Sequence, residues 1–405
     1  MTNKNIAPFT LILVVTFIGM LAPFSIDTYL PSFPSIENEF DISRALLTQT
    51  LAIYLISFAF ATLIWGPLCD RFGRQPITLV SLGSYLLASL LCALAPNYET
   101  LMIGRALQGA TVAGSMVASR AMIRDTFSSA KAQKAMSINM MLFSAAPAIA
   151  PILGGWLEIH FGWRSIFYLL ALYVLVLGWI YLIRIGETQA PNHKQSIQPR
   201  AIAHGYWEAI KHPKFLKVVV AQGALIGGFF IYIAGSTSVV FDHLNLTANQ
   251  FGYFFVPLVT GVLLGAFASH RLTCKMQPLN MINLALIIAA ISVVANLVIN
   301  SLHPTELIPT WLVIIPMAIY AFAFSLANPA LNIQGLDCLP HKRGLASGIQ
   351  SLFAMGSAGL AAAIIVPLAH NALMHLAIAQ GLVLLFAILL WIWHQTSPNT
   401  PKIEA

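Results

Sequence analysis

Gly66-Pro67-Leu68-Cys69-Asp70-Arg71-Phe72-Gly73-Arg74 sets three charges and two glycines between two long apolar runs, residues 46–67 and 76–95. Each run has about the 20 residues that a helix needs to cross a hydrocarbon layer. Two such runs joined by so short a polar connection predict a helical hairpin that enters and leaves a membrane. Gly73 permits the tight reversal, and Gly66 is expected to let a neighbouring helix come close. Asp70 is placed to meet a helix N-terminus from the other half, and Arg71 and Arg74 are placed to pair with Asp125.

The rest of the chain follows the same pattern. Of its 405 residues, 58 % are hydrophobic and 9 % charged, with a mean hydropathy of +0.79, where a soluble domain carries about 25 % charged residues. Fourteen acids and 21 bases cannot coat a water-soluble body of this size, and the composition equally excludes disorder. Apolar runs near 9–31, 46–67, 76–95, 99–122, 136–157 and 163–184 precede a polar stretch from Gly186 to about Pro213, and runs near 215–240, 250–269, 279–300, 308–331, 344–369 and 373–394 follow it. Backbone in lipid must be satisfied within each segment, so the runs predict helices. The fold class is all-α membrane, with 12 transmembrane helices in two six-helix bundles: residues 1–185, a cytoplasmic linker 186–213, and 214–405. The first run lacks a small-residue cleavage site and reads as a retained span.

The basic residues set the orientation. With both termini in the cytoplasm, that side receives 17 lysines and arginines and the far side only Arg44 and Arg164, while Arg105 and Arg120 fall inside the fourth span. The +7 charge is thus a topological signal, not a nucleic-acid surface. Arg124-Asp125 before span 5 has a counterpart in Asp337 and Lys342-Arg343 before span 11, a degenerate trace of internal duplication.

Charged residues within spans are costly and by default functional. Asp27, in Phe24-Ser25-Ile26-Asp27-Thr28-Tyr29-Leu30-Pro31, is the one acid within a predicted span away from the span ends. A carboxyl in a low-dielectric cavity suits proton uptake on one side and release on the other, and local pairing with Arg105 is the structural alternative. Arg105, in Arg105-Ala106-Leu107-Gln108-Gly109, is expected to face the cavity or the neighbourhood of span 1. Span 5 carries Pro147, Pro151, Gly154 and Gly155, which bend a helix and admit close neighbours.

The 66–74 string resembles the loop signature of the major facilitator superfamily, and the proline-glycine pattern of span 5 resembles the signature of that superfamily's antiporters, with alanines at two positions that are usually glycine. Together with Asp27 to Pro34, Arg105 to Gly109 and Arg120-Ala-Met-Ile-Arg-Asp125, the motifs in residues 24–155 resemble the Bcr/CflA family of bacterial drug:proton antiporters. The resemblance implies a major facilitator fold and a monomer in the bacterial inner membrane. It implies efflux of small antibacterials of the bicyclomycin, chloramphenicol/florfenicol or sulfonamide type, driven by the proton gradient with no cofactor. It carries proton or substrate handling onto Asp27, with Arg105 beside it. Gly66, Asp70, Arg71, Gly73, Arg74 and Asp125 become a cytoplasmic gate.

Substrate in such transporters sits at the midplane between the halves, which nominates Tyr54, Phe58, Gln108, Met141, Phe230, Tyr232 and Gln350 as cavity residues. No phosphate-binding loop of the Gly-x-x-x-x-Gly-Lys-Ser/Thr type is present, so the chain carries no ATP site of that kind. Cys69, Cys92, Cys274 and Cys338 show neither disulfide nor metal spacing, and the histidines lack ligand spacing, so no metal site is expected. A metabolite exporter or importer on the same fold is the second reading; a membrane enzyme or sensor would need a catalytic cluster at one face, which the sequence does not show.

Overall fold

The computed structural model describes residues 8–127, 145–189, 199–273, 275–302 and 308–396, and among these no strand occurs. The helices are α1 Pro8–Asp27, α2 Phe33–Phe40, α3 Arg44–Phe72, α4 Arg74–Ala93, α5 Tyr98–Thr126, α6 Ala146–Phe161, α7 Arg164–Arg184, α8 Pro199–Lys211, α9 Pro213–Ala234, α10 Phe251–Leu272, α11 Pro278–Leu302, α12 Thr310–Asp337, α13 Arg343–Leu360, α14 Val366–Ala369 and α15 Leu373–Thr396. Among the described residues ten helices or joined helices are long and apolar enough to cross a membrane. The 29-residue α5 and α6, described from Ala146, fill the fourth and fifth places. The architecture is the predicted one, twelve spans in two groups of six. We call the face near Pro8 and Thr396 the near face, and the opposite one the far face.

Local chemistry explains where the elements stop. The first span is interrupted: α1 ends at Asp27, a 3-10 turn covers Leu30–Ser32, and α2 follows. Pro31 and Pro34 fall where their missing N–H groups cost least, at the start of a turn and of a helix. Ser43 accepts from the Leu46 N–H at 3.3 Å to start α3, and Asn97 accepts from the Thr100 N–H at 3.0 Å to start α5. Gly73, at φ +104°, ends α3 and opens α4, a backbone conformation that a side chain would strain. The polar 186–213 stretch holds a helix that was not expected, α8, whose Ala209 packs with Phe215, Val219, Ala346 and Ile349.

Burial divides the molecule as a lipid-solvated protein requires. Leu172, Leu175, Trp179 and Leu182 of α7, and Leu382, Leu385, Phe386 and Leu389 of α15, are exposed, forming apolar belts on the sixth and twelfth spans. Inside, hydrophobic driving force between helices is weak, so close approach and polar links matter more. A Cβ on Gly109 would lie 2.0 Å from the Tyr54 carbonyl oxygen. That bare contact brings α5 and α3 together and sets the depth of Arg105.

Candidate functional site

Arg105 is fully buried in the first six helices. Its Nη1 donates to the Ser25 carbonyl at 3.0 Å and to Gln108 Oε1 at 2.9 Å. Gln108 Nε2 in turn donates to Ser89 Oγ at 2.9 Å. The guanidinium carbon lies 4.8 Å from the Tyr29 ring centroid and 4.5 Å from that of Tyr54, so two aromatic faces offset part of the burial of its charge. Arg105 Nε and Nη2 have no hydrogen-bond partner among the described residues. Ser25 and Tyr85 join their hydroxyls beside it, and the Tyr29 hydroxyl meets Thr50 Oγ1 at 2.9 Å.

Asp27 is 4 % exposed and ends α1 beside this cluster, two residues from the Ser25 carbonyl that holds Arg105. Among the described residues its carboxylate has no hydrogen bond and no ion pair, so the alternative of an Asp27–Arg105 pair is not realised in this conformation. The adjoining residue packs against α6: a Cβ on Gly154 would lie 2.1 Å from the Thr28 carbonyl oxygen, while one on Gly155 would lie 2.4 Å from the Ala248 carbonyl oxygen. One turn of α6 therefore touches the Asp27 segment with one glycine and the second six helices with the next. Pro151 is buried within α6 and Pro147 is half-buried in its first turn.

At the near face, Arg74 links two helix ends. Its Nε donates to Asp125 Oδ2 at 2.8 Å and its Nη1 to Asp70 Oδ1 at 2.7 Å. Glu187 completes the joint by accepting from the Arg74 N–H at 3.0 Å and the Gln75 N–H at 3.2 Å, a carboxylate on the N-terminus of α4. A Cβ on Gly73 would strike Glu187 Oε2 at 2.2 Å. Arg71 is exposed, its guanidinium carbon 5.3 Å from the Phe72 ring centroid. Asp70 binds Arg74 and, through its carbonyl, Gln189 at 2.8 Å. These contacts lie between residues 70 and 189, and Asp70 shows no bond to a helix N-terminus of the second half. A Cβ on Gly66 meets nothing within 4 Å, so the close approach expected there is absent in this conformation.

The nominated cavity residues divide. Tyr54 and Gln108 belong to the buried Arg105 cluster, and Phe58 is buried on α3. Tyr232 accepts from Asn296 Nδ2 at 2.6 Å within the second half, and Gln350 Nε2 donates to the Asn332 carbonyl at 3.1 Å. Phe230 is half-buried and edge-on to Phe229 at 5.9 Å. Met141 lies outside the described residues. Glu187, Tyr29, Tyr85 and Ser89 were not singled out from sequence. For Tyr29 the signal was its place two residues after Asp27; for Glu187, which follows the sixth span, there was none.

On the linker helix, Lys342 bonds Glu208 and holds its carboxyl below the usual range. Burial pushes the Tyr206 hydroxyl up to about 12; that hydroxyl donates to the Leu63 carbonyl at 3.0 Å, tying α8 to α3.

A two-bundle membrane fold with charged clusters inside one bundle and at its near face is the architecture of a superfamily of solute transporters, which are not enzymes. The Major Facilitator Superfamily model matches residues 15–363, and the chain belongs to that superfamily, in the Bcr/CflA branch that the motifs of residues 24–155 resemble. A bicyclomycin resistance protein homologue of Haemophilus influenzae is 31 % identical over 290 residues, 72 % of this chain and 73 % of that one. A multidrug resistance protein MdtL of Klebsiella pneumoniae is 27 % identical over 232 residues, 57 % of this chain and 58 % of that one. Among solved structures, a D-xylose-proton symporter superposes with a TM-score of 0.70 at 15 % identity, covering 94 % of this chain and 97 % of that one. A bacterial homologue of the lysosomal transporter Spinster gives 0.68 at 16 %, covering 96 % of each; at such identities the likeness concerns the fold alone.

Proposed function

We propose that this protein exports small antibacterial drugs from the bacterial cytoplasm across the inner membrane, as a monomer, in exchange for protons, with its near face and both termini cytoplasmic. The observation that carries the reading is Asp27, a buried carboxylate without an ion partner at the break in the first span, adjoining a buried cluster whose arginine has two unpartnered guanidinium nitrogens. A group of this kind changes its charge when the solvent or ligand beside it changes. The names of the relatives point to bicyclomycin and other drugs as the solutes.

In this mechanism the halves 1–185 and 214–405 rock about a central site. Asp27 takes a proton when the site faces the outside and gives it up when drug enters from the cytoplasm. Arg105, fixed by Ser25, Gln108, Tyr29 and Tyr54, keeps a fixed positive charge within the buried cluster that Asp27 adjoins. The Arg74–Asp70–Asp125–Glu187 joint keeps the near-face ends of α3, α4 and α5 together as one moving piece. The test is drug accumulation in a host lacking its own efflux pumps. Expression should lower accumulation of at least one of bicyclomycin, florfenicol or a sulfonamide, and collapsing the proton gradient should abolish the difference. Accumulation unaffected by expression for all three would reject the drug reading in favour of a metabolite transporter.

A further inference from the structure

Arg44 is one of only two basic residues that the topology leaves on the far face, and neither the proton site nor the near-face joint uses it. It begins α3. Its Nε and Nη2 form a fork onto Glu37 at 2.6 and 2.9 Å, while Nη1 crosses to the second six helices, meeting Asp242 Oδ2 at 2.7 Å and the Thr237 carbonyl at 3.2 Å. Its guanidinium carbon also lies 5.7 Å from the Phe241 ring centroid. Five residues on, Gln49 Nε2 donates to the Ala363 carbonyl at 2.9 Å. The two acceptor carbonyls share a setting: Thr237 caps the π-turn Ser238–His243 and Ala363 lies within the π-turn Ala361–Ile365. Such turns are rare, and a carbonyl there has a second lone pair for a side-chain donor.

We propose that the first two turns of α3 are the far-face gate, with Arg44 as its latch and Asp242 and the two π-turn carbonyls as its keeps. The Glu37 fork joins residues of the same half, so it persists in every conformation and pre-orients the guanidinium. Of the bonds made by Arg44 and Gln49, those to Asp242, Thr237 and Ala363 cross between halves, and these must break when the far face opens. They therefore weight the ratio of far-closed to far-open molecules towards the closed form whichever solute is carried.

The experiment measures the distance between spin labels at Glu99→Cys and Asn371→Cys, both exposed at the far face, in nanodisc-embedded protein whose native cysteines are replaced by serine. Asp242→Ala should raise the far-open fraction by about two- to fivefold, as for a partly exposed ion pair. Arg44→Ala, which also loses the Thr237 contact, should raise it further, and adding Gln49→Ala further still. Arg164→Ala is the control: it removes a far-face ion pair with Glu39 at 2.7 Å that lies within one half, and it should leave the ratio unchanged. Asp242 is half-exposed, so its variant carries the test even if Arg44→Ala fails to fold. An unchanged distance distribution in Asp242→Ala, or an equal shift in Arg164→Ala, would overturn the proposal.

Discussion

Gly155→Ala and Gly154→Ala differ by one position on α6 and should fail in different ways. A Cβ on Gly155 would sit 2.4 Å from the Ala248 carbonyl oxygen and 3.0 Å from its carbon, against an ordinary contact of about 3.3 Å or more. The helix and the 248–250 turn must separate by about 1 Å, and overpacking of this kind costs typically 1–3 kcal/mol. Because the contact crosses between halves at the far face, that energy falls on the far-closed conformation. The far-open to far-closed ratio should therefore rise by about 5- to 150-fold, read from the Glu99 to Asn371 label distance. A Cβ on Gly154 would meet the Thr28 carbonyl oxygen at 2.1 Å, a contact within the first half that both conformations keep. Gly154→Ala should lower the unfolding temperature with little change in the ratio. A Gly155→Ala variant that keeps the wild-type distance distribution while losing thermal stability as Gly154→Ala does would show that the Ala248 contact does not separate on opening.

Arg105→Lys keeps the charge but loses the planar fork that reaches Ser25 and Gln108 between two rings. Each charged hydrogen bond lost is worth roughly 1.5–3 kcal/mol, so the variant should unfold several degrees lower in detergent and transport nothing in proteoliposomes. Arg74→Ala removes both carboxylate partners of a side chain that is 6 % exposed; it should cost roughly 1.5–3 kcal/mol in thermal unfolding, whereas Arg71→Ala should leave stability unaltered. The Glu208 carboxyl titrates below its usual range because of its bond to Lys342. Its contribution is therefore present above the unfolded-state pKa and lost as pH falls through the lowered value. Hydrogen exchange across α8 should accelerate over that acidic interval in the wild type, and Glu208→Gln should show fast exchange on both sides of it.

The spans were legible because hydrophobic length is a local property: a run such as 163–184 must cross lipid whatever surrounds it. The Arg74–Asp125 link was legible too, since opposite charges at neighbouring near-face helix ends have few other partners. Glu187 was not, because its role depends on where the chain after α7 folds back. The α8 helix carried a signal in Ile202, Tyr206, Ala209 and Ile210, spaced three to four residues apart, but the surrounding lysines, histidines and prolines masked it. For polar residues inside spans the sequence shows that a partner is needed and not where it stands. Gln108, nominated for the cavity, serves Arg105 and Ser89, and Tyr232 accepts from Asn296. Which face of a helix looks inward is set by packing between spans, and close contacts such as that of Gly109 on Tyr54 are invisible along one chain.

In the proposed cycle Asp27 exchanges a proton for drug. Purified protein in weakly buffered detergent solution, mixed with bicyclomycin, florfenicol or a sulfonamide and followed with a pH-sensitive dye, tests it most directly. The wild type should release protons with at least one of these drugs, and Asp27→Asn that still binds the drug should release none. Release persisting in Asp27→Asn, or drug binding to the wild type with no release, would contradict it.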